Sequence, residues 1–142
     1  MRWIRALGAT ALLVGAAPSL AATISVDVKV VRASATGETD SRLKALKSQL
    51  RSRGYRGFEL RKEQSVSLRT AKETTVQINK RYALELTLLR RNDKAARIHI
   101  EALRDGRKLA SADVTIPKDQ AYLLVLKQDG PKALVIPITP RF

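Results

Sequence analysis

His99 is the only imidazole in the 142 residues, and the chain has no cysteine. A catalytic imidazole needs a nucleophile to activate and a carboxylate to orient it. Glu101 lies two residues on, on the same side of an extended segment as Arg97 and His99. It has the right type to orient the ring, but no serine stands on a sharp turn nearby. The pattern therefore points to a solvated histidine on a strand face. Zinc asks for three or four His, Cys or carboxylate ligands, and one histidine without cysteine does not supply the usual set. Glu38, Thr39, Asp40 and Ser41 come nearest to a calcium loop, but they read better as the cap of a following helix. Gly54, Gly57 and Gly106 are isolated, so no glycine-rich phosphate loop is present. A carboxylate pair for glycoside hydrolysis can be drawn from any of 13 acids, and nothing singles one out. The expectation is no catalytic residue, no metal and no cofactor.

Charge is the stronger chemical signal. The 27 basic residues less Arg2 and Arg5, which leave with a leader described below, are 25 against 13 acidic ones, a net charge of +12. Such a field attracts anionic partners. The densest segment holds Arg51, Arg53, Arg56, Arg61 and Lys62, with Tyr55 and Phe58 interleaved. Cations flanked by aromatic rings are one way to hold a polyanion or a single-stranded nucleic acid. The competing reading is a solvated, solubilising rim, since Arg and Lys recur along the whole chain.

These residues must be carried by regular elements. Residues 23–32 alternate, with Ile24, Val26, Val28 and Val30 on one face, and predict a half-buried strand. Asp40 or Ser41 caps a helix of about three turns, in which Leu43, Leu46 and Leu50 recur at helical spacing and which Gly54 ends. After Tyr55 the chain reads as strands: residues 58–60, 66–68, 74–78, 82–88, 98–102, 109–116, 122–126 and 133–138. Asn92-Asp93, Asp105-Gly106 and Asp129-Gly130 supply turns. The almost wholly apolar residues 122–126 suggest a central strand. Pro137 and Pro140 suit an edge or a strand end, because proline cannot donate to a ladder. The resulting class is α+β, β-rich. One N-terminal strand and helix precede an antiparallel meander that forms a sandwich or open barrel. An exposed strand edge at Ala133, Val135 and Ile136, or at residues 24–30, could accept a partner strand.

The first 22 residues stand apart. Arg2 and Arg5 precede an uncharged apolar run, a helix breaker at Pro18 and small residues at Ser19, Ala21 and Ala22. This is the form of a signal peptide, cleaved after Ala21 or Ala22. The run is short for a permanent span, and no twin-arginine pair or lipid-accepting cysteine is present. The expected organisation is a signal peptide over 1–22 and a single β-rich domain over 23–142, with no transmembrane span after cleavage. The expected location is the periplasm, with the extracellular space or the outer-membrane surface as alternatives. Export also disfavours nucleic acid as a ligand.

With its strand and helix (Ile24 to Val30, Leu43 to Leu50) ahead of a meander closing on Ala133-Leu134-Val135-Ile136-Pro137-Ile138, the chain resembles uncharacterised small exported β-rich proteins of Gram-negative bacteria. The resemblance implies a scaffold or adaptor module and carries no functional residues across. The first expectation is therefore a non-enzymatic periplasmic binding or adaptor domain with an envelope protein partner, as in an envelope-spanning secretion or motility complex. The second is a cationic binder of anionic lipid, lipopolysaccharide or cell-wall polymer. A carboxylate-dependent hydrolase is a further alternative. So is an outer-membrane barrel ending at Phe142, although aromatic residues are few for its girdles.

Overall fold

The computed structural model describes residues 22–52, 54–127 and 132–142. The expected leader up to residue 21, Arg53 and the expected Asp129-Gly130 turn lie outside them. The strands are β1 (Thr23–Ser34), β2 (Gly57–Arg69), β3 (Glu73–Gln77), β4 (Tyr82–Arg91), β5 (Ala95–Arg104), β6 (Arg107–Pro117), β7 (Tyr122–Lys127) and β8 (Ala133–Arg141). They form two four-stranded sheets, ordered β2-β1-β8-β7 and β3-β4-β5-β6. Every pairing within the sheets is antiparallel. The described strands make two open sheets, not the closed ring that strands spanning a membrane need. Among the described residues no helix is long and apolar enough to cross a membrane.

Two clusters explain the apolar pattern. The larger takes Ile24, Val26 and Val28 from β1, Ile136 and Ile138 from β8, and Leu84, Leu86, Ile98 and Ile100 from the second sheet. It is shared by both sheets in a sandwich-like arrangement. The smaller joins Val31, Ala33, Phe58, Leu60, Leu123 and Val135 of the first sheet to Leu43 and Leu50 of the helical segment. The first sheet is thus covered on both faces along part of its length. That is why residues 133–140 are buried without alternation.

The helical segment is shorter and tighter than its leucine spacing predicts. Ser41–Leu46 is a 3-10 helix and only Lys47–Arg51, here α1, is α-helical. In a 3-10 turn residues three apart eclipse, so Leu43 and Leu46 both face the sheet. Asp40 caps it by accepting from the Arg42 N–H at 2.9 Å. Gly54, at φ +89°, donates its N–H to the Arg51 carbonyl and ends it. Asp105 and Gly106 both have positive φ, 50° and 80°, as their two-residue hairpin demands.

Three expectations about strands are corrected. Residues 58–60 and 66–68 are one strand, β2, interrupted by a bulge. Val31 pairs with Leu60 and Val30 with Lys62, so Arg61 is the extra residue. It reverses the parity: Phe58 and Leu60 face the helix, whereas Val66 and Leu68 face the inter-sheet core.

Ala133, Val135 and Ile136 are not on an edge. Strand β8 lies between β1 and β7, and residues 24–30 of β1 lie between β2 and β8. Both prolines fit because a strand residue directs its N–H to one side only. The β1–β8 ladder skips the position of Pro137, between the pairs Val28–Ile138 and Val31–Val135. Pro140 turns its vacant donor side past the start of β7, where its carbonyl accepts from the Asp119 N–H at 2.9 Å. Conversely, β7 is an edge strand. Its apolar sequence reflects cover on both faces, with Leu126 in one cluster and Leu123 in the other.

Candidate functional site

The bulge in β2 builds a site. It brings Arg61 and Lys62 beside Arg32 of β1, and the three cations line a recess of about 360 Å³ with Asn79. Its floor is Val30, Ile78 and Leu134, the rim of the inter-sheet core. Lys62 Nζ donates to the Gln77 carbonyl at 2.9 Å, and Gln64 Nε2 donates to the same oxygen at 3.3 Å. These bonds tie the edge of β2 to the edge of β3. Arg61 Nη1 donates to Glu59 Oε1 at 3.0 Å. Arg32 has no carboxylate partner among the described residues. One acid against three cations leaves the recess positive.

Arg51 and Arg56 of the basic segment are not gathered here. Arg51 ends α1 and Arg56 sits in the following loop, both exposed. Five residue steps separate Arg56 from Arg61, roughly 16 Å at the usual strand rise. Arg53 lies outside the described residues. Nor are the interleaved aromatics a stacking platform: Phe58 is buried in the helix-side cluster and Tyr55 packs against it.

A larger cleft, of about 510 Å³, lies between the helical segment and the first sheet. Most of its charges are already matched. Arg42 grips Asp40 with two bonds, 3.0 and 2.7 Å long. Arg141 donates to Asp27 at 2.9 Å and to Asp119 at 3.3 Å. The Ser65 hydroxyl and Arg141 hold Asp27 below its ordinary pKa. Arg42 holds Asp40 far below the usual carboxylate range. This network ties β1, β2, β8 and the β6–β7 turn together and leaves Lys29 as the cleft's unmatched cation among the described residues.

Comparison with protein-family models, with curated proteins and with solved structures finds no match. The chemistry therefore has to be read from the side chains themselves.

His99 sits on the outer face of the second sheet with both ring nitrogens engaged. Nδ1 meets Asp113 at 2.5 Å and Nε2 meets Glu101 at 3.1 Å. Asp113, then Glu101, raise its pKa, which favours an imidazolium. A ring with a carboxylate at each nitrogen has no free nitrogen for a substrate proton. Cross-strand register also brings Glu85 opposite Glu101. A hydrogen bond to the Glu73 carboxyl raises the pKa of Glu85, and partial removal from water and the nearby Glu101 add to it. Sequence periodicity places these acids on one face but not beside one another. Among the described residues no three metal-binding side chains converge.

A raised carboxylate pKa means that ionisation of Glu85 opposes folding. The penalty is present at neutral pH and fades as pH falls through the raised value. It vanishes once both states hold the proton, below about pH 4. Glu85→Gln is therefore expected to raise Tm by a few degrees at most at pH 7. Its gain over wild type should shrink steadily toward pH 4. A thermal melt at each pH checks this, and a gain that grows on acidification reverses the assignment.

Proposed function

We propose that this protein is an exported, non-enzymatic binding domain of the periplasm whose ligand is an anionic envelope component: a lipid phosphate, lipopolysaccharide or a cell-wall polymer. One observation carries the reading. Among the described lysines and arginines only Arg42, Arg61, Lys108 and Arg141 make ion pairs with carboxylates. The excess charge is therefore directed at solvent, and the recess at Arg32, Arg61 and Lys62 concentrates it. The leader-like first 22 residues and the resemblance to small exported β-rich proteins support the location.

Purified protein is expected to cosediment with phosphatidylglycerol vesicles but not with phosphatidylcholine vesicles. Binding should weaken steeply as salt shortens the screening length from about 30 Å at 0.01 M to about 10 Å at 0.1 M. A cation near an anionic surface contributes about 1 kcal/mol. Reversing Arg32, Arg61 and Lys62 to Glu together should thus cut binding at least about tenfold. Reversing Arg51 and Arg56 should cost less. Equal binding to both vesicle types, or indifference to salt, overturns the proposal.

A second reading, the adaptor of an envelope-spanning secretion or motility complex, has its own support. Strand β6 ends its sheet, is exposed over most of its 11 residues, and carries Leu109 half exposed. An unpaired edge of that length is a place for a partner strand. A domain that ignores anionic vesicles at low salt turns the choice to this reading.

A further inference from the structure

We propose a separate phosphate-binding site at the β4–β5 hairpin, formed by Arg90 and Arg97 with Thr115 and flanked by Arg91. Its construction begins with a second bulge. Leu88 pairs with Ile98, but the next pair is Arg90 with Arg97, which leaves Leu89 as the extra residue. Without it Leu89 would face Arg97, and Arg90 would turn toward the inner face. With it Leu89 is pushed into solvent, 37% exposed, and two arginines stand directly opposite on neighbouring strands. Like charges so placed repel.

The next pair, Arg91 with Ala96, sends Arg91 to the inner side. There its guanidinium carbon lies 5.1 Å from the centre of the Phe142 ring, and Lys118 Nζ lies 5.5 Å from the same centre. The ring props up cations that have no acid beside them. Arg90, Arg91 and Arg97 line a recess of about 300 Å³ with Asn92 and Thr115. Arg97 Nη1 lies 3.5 Å from the Thr115 hydroxyl.

None of the three arginines has a carboxylate partner among the described residues. Two residues along the same face of β5, charge is balanced: His99 meets Asp113 and Glu101, and Lys108 meets Glu101 at 3.6 Å. The sheet face thus divides into a neutralised centre and an unneutralised cationic end. A dianionic oxyanion fits that end. Guanidinium forks match phosphate oxygens two at a time, and the Thr115 hydroxyl adds a donor. The bound ion also removes the repulsion between Arg90 and Arg97. The shared chemistry is a phosphate monoester or diphosphate, carried by a lipid headgroup or free in solution.

The site is distinct from the recess at Arg32, Arg61 and Lys62, so either can fail without the other. Inorganic pyrophosphate titrated at low salt into purified protein is expected to shift the arginine Nε–H signals of Arg90 and Arg97. Arg97→Gln and Arg90→Gln should each weaken binding at least about tenfold, the loss of a charge-assisted bidentate contact. Arg97→Gln should also melt at or above wild type, because it breaks up a like-charge pair. Arg107→Gln, roughly 23 Å along the hairpin, should leave binding unchanged. Vesicles carrying phosphatidic acid form the second arm. Arg97-dependent binding to vesicles alone assigns a lipid headgroup, and Arg97-dependent binding of pyrophosphate assigns a soluble phosphate. If neither probe distinguishes Arg97→Gln and Arg90→Gln from wild type, the site is overturned.

Discussion

Val135→Asp is expected to abolish cooperative folding. Val135 is fully buried between β8 and the helical segment, in register with Val31 on one side and Val125 on the other. A carboxylate there loses its water and gains no cation. An uncompensated buried charge costs several kcal/mol even after relaxation, and a protonated acid still lacks a hydrogen-bond partner, at about 1–3 kcal/mol. Against a total stability of about 5–15 kcal/mol for an ordinary domain, that removes most or all of the margin. Lys132→Asp is the contrast: it introduces the same group three positions upstream at an exposed residue, where changes stay within about 0.5 kcal/mol. Soluble yield and thermal melts compare the two. A Val135→Asp protein that melts within a few degrees of wild type means that β8 is a solvated edge after all.

Gly57→Ala should cost about 2–4 kcal/mol, from overpacking and strained neighbouring hydrogen bonds, for a fall in Tm on the order of 10 °C. The reason is space rather than backbone freedom. A Cβ on Gly57 would lie 2.3 Å from the Thr36 carbonyl oxygen and 2.7 Å from Ser34 Oγ. The carbonyl belongs to the loop that wraps the start of β2. Phe58 donates to the Glu38 carbonyl at 3.2 Å, and Asp40 donates to the Phe58 carbonyl at 2.8 Å. Pushing the loop away therefore strains both bonds and disturbs Phe58, which anchors the helix-side cluster. At Gly54 a Cβ meets nothing within 4 Å and only the positive φ resists it. There alanine should cost about 1 kcal/mol. Equal losses at the two positions would remove the steric argument.

Much of the fold was legible in periodicity. The alternation of β4, β5 and residues 23–30 of β1 was readable because each has one face on the inter-sheet core and the other more open. The Asp105-Gly106 turn was readable because its backbone angles admit few residues. Bulges spoiled the reading elsewhere. Arg61 shifts the parity of β2 by one, so a continuous strand reads as two fragments. Leu89 does the same in β4, and hides that Arg90, not Leu89, stands opposite Arg97. Of the basic segment, Arg61 and Lys62 do share a recess, but the third cation there, Arg32, is 29 positions upstream of Arg61 and carries no local signal.

Local pattern in the chain was enough to place most buried faces of the regular strands, the turns at Asn92-Asp93 and Asp105-Gly106, and a large excess of positive charge. Those are local properties: period, turn chemistry and composition act over a few residues. Which strands would be edges is not a local property, because an edge is the absence of a neighbour, and neighbours are chosen by pairing across the whole chain. Tertiary structure put the proline-bearing β8 at the inside of its sheet and the apolar β7 at the rim. It also decided which cations would be neutralised. Arg141 finds Asp27 from 114 positions away, whereas Arg90 and Arg97 stand opposite one another with no acid among the described residues to meet them. Coulomb interactions depend on distance in space, and that distance exists only once the sheets have paired.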